Sequence, residues 1–373
     1  MRDDVLEETQ FSMPGHHKGS AEYLKLDPLA MRHMLTRIRE LPTLDALRYD
    51  VQALICMLDD PTSNIRTPQE ESIELSRTYI IEDLTQISCA QTLDRARYYI
   101  DRFVRSMSAV KTTAINDINL HRWKEYNDIH TDSLWMIERR VRTNGHHASY
   151  WGNFVPQIPN QMMRRYTKPG DWVIDTFAGS GTSLIEGMRL GRNTLGVELQ
   201  ERMVDQVRQQ IDTIPNPHQV QAQVYQGDST TIDFGRLLAQ HGQESAQLVL
   251  MHPPYFDIIK FSDDPRDLSN SASVDDFLEM IGRLVDNVSP YLDQGRYLVL
   301  VIGDKYAKGD WIPLGFHAMN EVMQRGFSLK SIVVKNFEET SGKRAQKELW
   351  RYRALLGGFY VFKHEYIFLF RKQ

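Results

Sequence analysis

Asp175-Thr-Phe-Ala-Gly179-Ser-Gly181-Thr182 is the stretch of this chain whose residue types and spacing are best suited to chemistry. A short apolar run, Trp172-Val-Ile174, ends in Asp175, gives way to small residues, and leads into a helical pattern from Thr182. Such a strand, turn and helix let the backbone pass close to a ligand lying over the carboxyl end of the strand. An NTPase loop would place Gly-Lys-Ser/Thr at the helix start to neutralise phosphates, whereas Gly181-Thr182-Ser183 has no lysine. A dinucleotide loop would carry a third glycine where Leu184 stands.

A third ligand class, S-adenosylmethionine, accounts for more of the residues. Its sulfonium and ammonium groups are cationic, so Asp175 beside the turn attracts them where it would repel a pyrophosphate. The next strand ends in Gly196-Val-Glu198, about 20 residues on, where a carboxylate accepts the hydroxyls of a ribose. The third ends in Gln226-Gly227-Asp228, placed to accept from an adenine amine. A fourth apolar run, Leu248-Val-Leu-Met251, breaks into His252-Pro253-Pro254-Tyr255. The two prolines fix the direction of the backbone carbonyls, and Tyr255 offers a flat face to a planar substrate. His252 and the adjacent carbonyl could accept from an exocyclic amine and aim its lone pair at a sulfonium methyl group, so that positioning and electrostatics carry the transfer. His121, His130, His146 and His147 match no metal-ligand spacing, and Ser180 lacks the G-x-S-x-G offset of a nucleophile elbow, so no metal is expected.

The elements that must position these residues follow from the hydrophobic pattern. From Tyr23 to about Arg142 the apolar residues recur at helical spacing, as in Leu35, Ile38, Leu41 and in Ile80, Leu84, Ile87. After Asn144-Gly145 the pattern changes to short continuous runs at 172–174, 193–197, 221–225, 247–251, 297–302, 331–335 and 366–370. Runs of this kind between helices predict seven strands of a mostly parallel, doubly wound sheet buried on both faces. The expectation is a helical domain over 1–145 and an α/β domain over 146–373. No internal repeat is visible, and the polar stretch Ser269–Ser273 reads as a flexible loop.

With 373 residues, 41% hydrophobic and 25% charged, the chain has enough apolar sequence for two packed cores. Cys56 and Cys89 are too few for a disulfide framework, and no apolar run reaches membrane-span length, so a cytoplasmic location is expected.

These residues together make the chain resemble the S-adenosylmethionine-dependent DNA amino-methyltransferases, which make N4-methylcytosine or N6-methyladenine. The resemblance covers about 151–372. It implies a cofactor loop at Asp175, Phe177, Ala178, Gly179, Ser180, Gly181 and Thr182, with Thr176 in place of the usual proline. It places ribose and adenine contacts at Glu198, Gly227 and Asp228, and assigns Phe154 and Pro156 to the methionine part of the cofactor. His252, Pro253, Pro254 and Tyr255 match the catalytic Asp/Asn/Ser-Pro-Pro-Tyr. Phe261–Leu268 and Val301–Asp304 resemble segments of the N4-cytosine members in particular. The implied partner is double-stranded DNA, with a cognate restriction or defence system as a further candidate.

The chain departs from that pattern in two ways. His252 replaces Asp, Asn or Ser, and an imidazole can accept only when neutral. About 70 residues separate the loop from Pro-Pro-Tyr, too few for a recognition domain between them. Target recognition is then expected from the helical region or from 337–362, where Lys343, Arg344, Lys347, Arg351 and Arg353 alternate with Trp350 and Tyr352. Ser331–Gln373 holds nine Lys and Arg against four Asp and Glu, a net +5 that leaves the remainder at −10 within a total of −5. The reading is a methyltransferase acting on an exocyclic base amine, leaning to N4 of cytosine. N6-adenine, RNA or protein-glutamine methylation, and a non-catalytic binding module are the alternatives.

Overall fold

The computed structural model describes residues 22–66, 72–138, 140–141, 152–153, 155–336 and 347–373. The chain divides into two compact units, one running to Ala114 and resuming over Ile118–Ile129, the other formed by Ile115–Asp117 and His130–Gln373. The division falls at Ile129/His130, ahead of the expected position near Gly145, which lies outside the described residues. The reason is that the residues from His130 onward contribute to the second unit's sheet.

The first unit contains strand β1 (Tyr23–Leu26), helices α1 (Pro28–Arg39) and α2 (Leu44–Asp59), strand β2 (Ile73–Ser76), and helices α3 (Arg77–Ser88) and α4 (Leu93–Ser108). It is a tandem repeat with a constant offset of 49 residues. The helix ranges superpose on that offset, as do the N-caps: Asp27 with Ser76, and Thr43 with Thr92. Eight of the 33 residues from Asp27 to Asp59 are identical at that offset, among them Thr43-Leu44-Asp45 with Thr92-Leu93-Asp94 and Arg48-Tyr49 with Arg97-Tyr98. β1 and β2 pair antiparallel about Lys25 and Glu74, so that Leu24↔Leu75 and Leu26↔Ile73 are equivalent contacts. The repeats also exchange arginines. Arg48 donates to the carbonyls of Ser88 (2.9 Å) and Ala90 (3.0 Å), while Arg97 donates to those of Arg39 (3.0 Å) and Leu41 (3.2 Å), 49 residues earlier. Each half thus satisfies the open carbonyls at the end of the other half's helix. The unit has the pairing logic of a two-fold dimer joined into one chain. Its core is the apolar stripe of each helix, including Leu35, Val51, Leu84 and Ile100.

The second unit holds β3 (Leu134–Trp135), α5 (Gln157–Tyr166), β4 (Trp172–Asp175), α6 (Thr182–Leu190), β5 (Asn193–Glu198), α7 (Glu201–Thr213), β6 (Ala222–Gln226) and α8 (Phe234–Ala239). It continues with β7 (Ala246–Met251), α9 (Val274–Val288), β8 (Leu292–Ile302), a hairpin of β9 (Lys305–Ala307) and β10 (Asp310–Ile312), α10 (Leu314–Met323), β11 (Phe327–Asn336), α11 (Lys347–Gly357) and β12 (His364–Lys372). All seven expected strands are present, in the order β11-β12-β8-β7-β4-β5-β6, with β3 added beside β11. β4 to β8 are mutually parallel and β12 is antiparallel to both neighbours. Strand alternation fills both faces. Ile174, Val249, Met251, Leu298 and Phe368 pack with Phe277, Ile281 and Leu284 of α9, while Val173, Leu250, Val299 and Ile367 pack with Ile158 and Met163 of α5. The stretch Ser269–Ser273 is folded rather than loose. Leu268–Asn270 forms a helical turn, Ser269 is buried, and Ser273 caps α9 through Asp276 N–H.

Candidate active site

Four strands end at one edge, and their carboxyl ends build one cleft. It is lined by Gly152, Asn153, Thr176–Gly179, Glu198–Gln200, Gly227–Ser229, His252–Pro254, Phe261 and Arg266–Leu268. Counting its open mouth it encloses about 730 Å³, enough for a nucleoside-sized ligand.

The floor is the turn from β4 to α6. Gly179 and Gly181 take positive φ (52° and 78°), which only glycine adopts without strain. Asp175 does not line the cleft. Its carboxylate is 1% exposed and accepts from Phe177 N–H (3.0 Å) and the Ser183 hydroxyl, so it shapes the turn rather than meeting a ligand. Burial lifts it to about 6 against the opposing effect of those two donors. Ser180, Gly181 and Thr182 likewise stand behind the lining; Ser180 receives the amide of Asn153, which itself reaches the cleft. Phe177, Ala178 and Gly179 face the ligand space. Pro156 precedes α5 outside the lining, and Phe154 lies outside the described residues.

Glu198 closes β5 and is 8% exposed. It accepts from Gly179 N–H (2.9 Å) and Gln200 N–H (2.9 Å), which ties the turn to the next strand. Burial pushes its carboxyl up to about 7, reinforced by the negative charges of Asp175 and Asp267 and opposed by the two N–H donors. Asp228 lines the cleft beside Gly227, and its Oδ1 accepts from Thr230 N–H and Oγ1 (both 2.8 Å). Gly196 carries a requirement not anticipated from the motif. A Cβ there would lie 2.9 Å from both Ala178 Cβ and Leu184 Cδ1, so only glycine lets the turn sit against β5.

The opposite rim comes from the end of β7. His252, Pro253 and Pro254 line the cleft, but Tyr255 is turned away from it. Its hydroxyl donates to Glu365 Oε2 (2.7 Å), and Glu365 Oε1 accepts from Lys335 Nζ (2.8 Å). His252 Nε2 lies 3.1 Å from the same hydroxyl. The expected stacking face is instead packed against Gly303, where a Cβ would come within 3.0 Å of the Tyr255 ring. Burial holds the His252 imidazolium down to about 4, helped by the Lys335 charge against the opposing Glu365, so the ring is neutral at neutral pH.

The segment following Pro-Pro-Tyr supplies Phe261, Arg266, Asp267 and Leu268, none anticipated as site residues. Asn270 Nδ2 donates to the carbonyls of Ser262 (3.0 Å) and Asp264 (2.7 Å), and Asp267 accepts from Ser262 Oγ (2.7 Å) and Ser269 N–H (2.9 Å). Their sequence signal is the run Ser262-Asp-Asp-Pro-Arg-Asp267, whose short side chains bond the nearby backbone and curl the chain. Of the basic residues assigned to nucleic acid, Lys343 and Arg344 lie outside the described residues. Lys347 opens α11, its side chain undescribed, and Arg351 and Arg353 are exposed on that helix, Arg353 lying 5.2 Å from the centre of the Trp350 ring. Among the described residues no cluster of His, Cys, Asp or Glu could hold a metal, and no helix is long and apolar enough to cross a membrane.

Comparison with known proteins gives a family match and partial relatives. The DNA methylase family of N6/N4 type matches residues 62–209. A type II methyltransferase of Methanocaldococcus jannaschii, M.MjaII, is 38% identical over 72 residues, which are 19% of this chain and 13% of that protein. M.MthZI of Methanothermobacter thermautotrophicus is 30% identical over 94 residues, 24% of this chain and 26% of the relative. The chain therefore spans about a quarter or less of these relatives' own length. Among solved structures, TrmN from Thermus thermophilus is 14% identical with a TM-score of 0.38, covering 60% of this chain and 50% of that one. The family match encloses the turn Asp175–Gly181 and Glu198 and ends before Asp228 and His252. Over residues 62–209, with the floor of the cleft inside them, this chain is similar to the DNA methylase family of N6/N4 type.

Proposed function

We propose that the chain is an S-adenosylmethionine-dependent DNA methyltransferase that modifies an exocyclic base amine, with N4 of cytosine as the preferred target. The observation that carries this is the pairing of two rims across one cleft: Glu198 and Asp228 on one, His252-Pro253-Pro254 on the other. The carboxylates suit hydroxyls, amines and a cationic sulfur, and Arg266, the one guanidinium among the described residues of the lining, is paired with Asp264 (2.6 Å). Gly179 and Gly227, both in the lining, let the backbone approach a nucleoside closely.

S-adenosylmethionine, when bound, supplies an electrophilic methyl group on a sulfonium. The chain's own residues do the rest. Phe177–Gly179, Glu198 and Asp228 would hold the nucleoside part, and Asn153 would border its methionine side. The rigid Pro253-Pro254 backbone and the neutral His252 would receive an extruded base, orient its amine, and accept the amine proton as the lone pair forms the new N–C bond and the methyl–sulfur bond breaks, its electron pair staying on the sulfur of a neutral thioether. Arg351 and Arg353 on α11 would contact the phosphate backbone. N4-cytosine is favoured over N6-adenine by the resemblance of Phe261–Leu268 and Val301–Asp304 to N4-cytosine members.

Transfer of tritiated methyl groups to duplex DNA, RNA and total protein tests the reading. Incorporation into DNA supports it, and incorporation into RNA or protein alone overturns it. Mass analysis of the digested nucleosides then identifies the modified base.

A further inference from the structure

Behind His252 lies a buried chain of polar groups that runs through three strands or strand ends. Lys335 on β11 and Glu365 on β12 are directly opposite in the antiparallel ladder, are 5% and 8% exposed, and form an ion pair of 2.8 Å. A buried pair of this kind gains little stability over two apolar residues of similar size, because both charges have lost their water. Its position therefore calls for an explanation other than stability. The second oxygen of Glu365 supplies one, since it accepts from Tyr255 at 2.7 Å.

The direction of each hydrogen bond then follows. Glu365 is a carboxylate, held below the usual range by the Lys335 charge and by hydrogen bonds from Lys335 and Tyr255 despite its burial, so it can only accept. Tyr255 has one proton, and burial with the adjacent Glu365 charge keeps the phenol protonated. That proton is committed to Glu365. The contact of 3.1 Å between the Tyr255 oxygen and His252 Nε2 can then exist only with Nε2–H as donor. In a neutral imidazole this makes Nδ1 the acceptor.

We propose that Lys335, Glu365 and Tyr255 are positioning residues that lock His252 in its Nε2–H form, so that Nδ1 carries no proton. This rests on the methyltransferase reading for its purpose, though not for its geometry. A wrong tautomer would present an N–H donor where an amine proton must be received. The lock gives histidine the acceptor that Asp has as a carboxylate and that Asn and Ser offer beside a donor.

The test is two-bond 1H–15N NMR on ring-labelled protein, which reads which nitrogen of His252 carries the proton without needing activity. Wild type is expected to show Nε2–H. In the double variant Lys335→Met/Glu365→Leu, which leaves no uncompensated charge, the Tyr255 hydroxyl loses its acceptor and turns to donate to Nε2, so the resonances should switch to Nδ1–H. Binding of S-adenosylhomocysteine within about twofold of wild type verifies that the variant is folded. Methyl transfer should fall by on the order of 100-fold in kcat with little change in KM for the methyl donor. Tyr255→Phe should lose the single tautomer as well. An Nδ1–H form in wild type, or an unchanged Nε2–H form in the double variant, overturns the proposal. If wild type transfers no methyl group to any acceptor, the methyltransferase reading fails while the resonances still decide the lock.

Discussion

Glu198 gives the strongest handle on the cleft, because its carboxyl titrates at about 7 in the ligand-free protein. Its burial disfavours the charge and the neighbouring Asp175 and Asp267 add repulsion. A ligand whose hydroxyls donate to Glu198 favours the ionised form, so binding must expel the proton wherever one is present. The sign follows: affinity falls as pH drops through 7 and levels off above about 8. For a free-state value near 7, about one site in ten is ionised at pH 6, so affinity should be about tenfold weaker there than at pH 8, or about 1.4 kcal/mol. At pH 7 roughly half a proton should leave per ligand bound. Calorimetric titration of S-adenosylhomocysteine from pH 6 to 8, in two buffers of different ionisation enthalpy, measures both quantities. The neutral thioether of this ligand keeps a sulfonium charge out of the comparison. Asp175 titrates lower, at about 6, and does not line the cleft. Glu198→Gln separates the two, since it should flatten the dependence above pH 6.5 while weakening binding at pH 8. A wild-type affinity that is flat between pH 6 and 8, or a slope that survives Glu198→Gln, would refute the assignment of Glu198 as the group that meets the ligand.

The exchanged arginines of the first unit should be energetically equivalent. Arg48→Ala and Arg97→Ala each leave two helix-end carbonyls without their donor and should cost about 1–3 kcal/mol in urea unfolding, with similar values for the two. Gly196→Ala should destabilise the second unit by about 1–3 kcal/mol and weaken ligand binding as well, because its Cβ must displace Ala178 from the cleft floor; thermal unfolding with and without S-adenosylhomocysteine measures both effects. Arg351→Glu/Arg353→Glu should reduce the slope of log affinity for duplex DNA against log salt by about 2 if both side chains meet phosphates, as read by fluorescence anisotropy. An unchanged slope would remove α11 from the DNA-contacting surface.

The sequence is most legible where side-chain period and backbone requirement agree. Seven runs buried on both faces announced the seven main strands. Their order on the sheet placed the ends of β4, β5, β6 and β7 side by side, as the acidic residues and Pro-Pro had suggested. The two-residue β3 was invisible, because Leu134-Trp135 is too short to show any alternation. The repeat in the first unit was hidden for a different reason. Outside the identical positions the halves share at most apolar character, as Met31 with Ile80 or Leu54 with Phe103. The proof of equivalence lies in long-range bonds from Arg48 and Arg97, which a linear reading does not pair. Glu365 and Lys335 escaped notice as site residues because each stands inside a strand, far in sequence from the histidine behind which the fold places it.

The three acidic strand ends looked alike as residues, yet strand geometry assigns them different work. Along β4, Val173 faces the α5 side of the sheet while Trp172 and Ile174 face the other. Asp175 continues the alternation, and so shares Val173's face and falls beside Ser183 in the first turn of α6. A carboxylate there is spent on the turn. Glu198, the last residue of β5, and Asp228, two residues past the end of β6, both reach the cleft. The distinction changes what substitution should do. Loss of Asp175 removes the acceptor of Phe177 N–H and the Ser183 hydroxyl, so it loosens the floor for any ligand and lowers stability with it. Loss of Glu198 removes a cleft contact together with the acceptor of Gly179 and Gln200 N–H, so its effect should appear in binding and in unfolding alike.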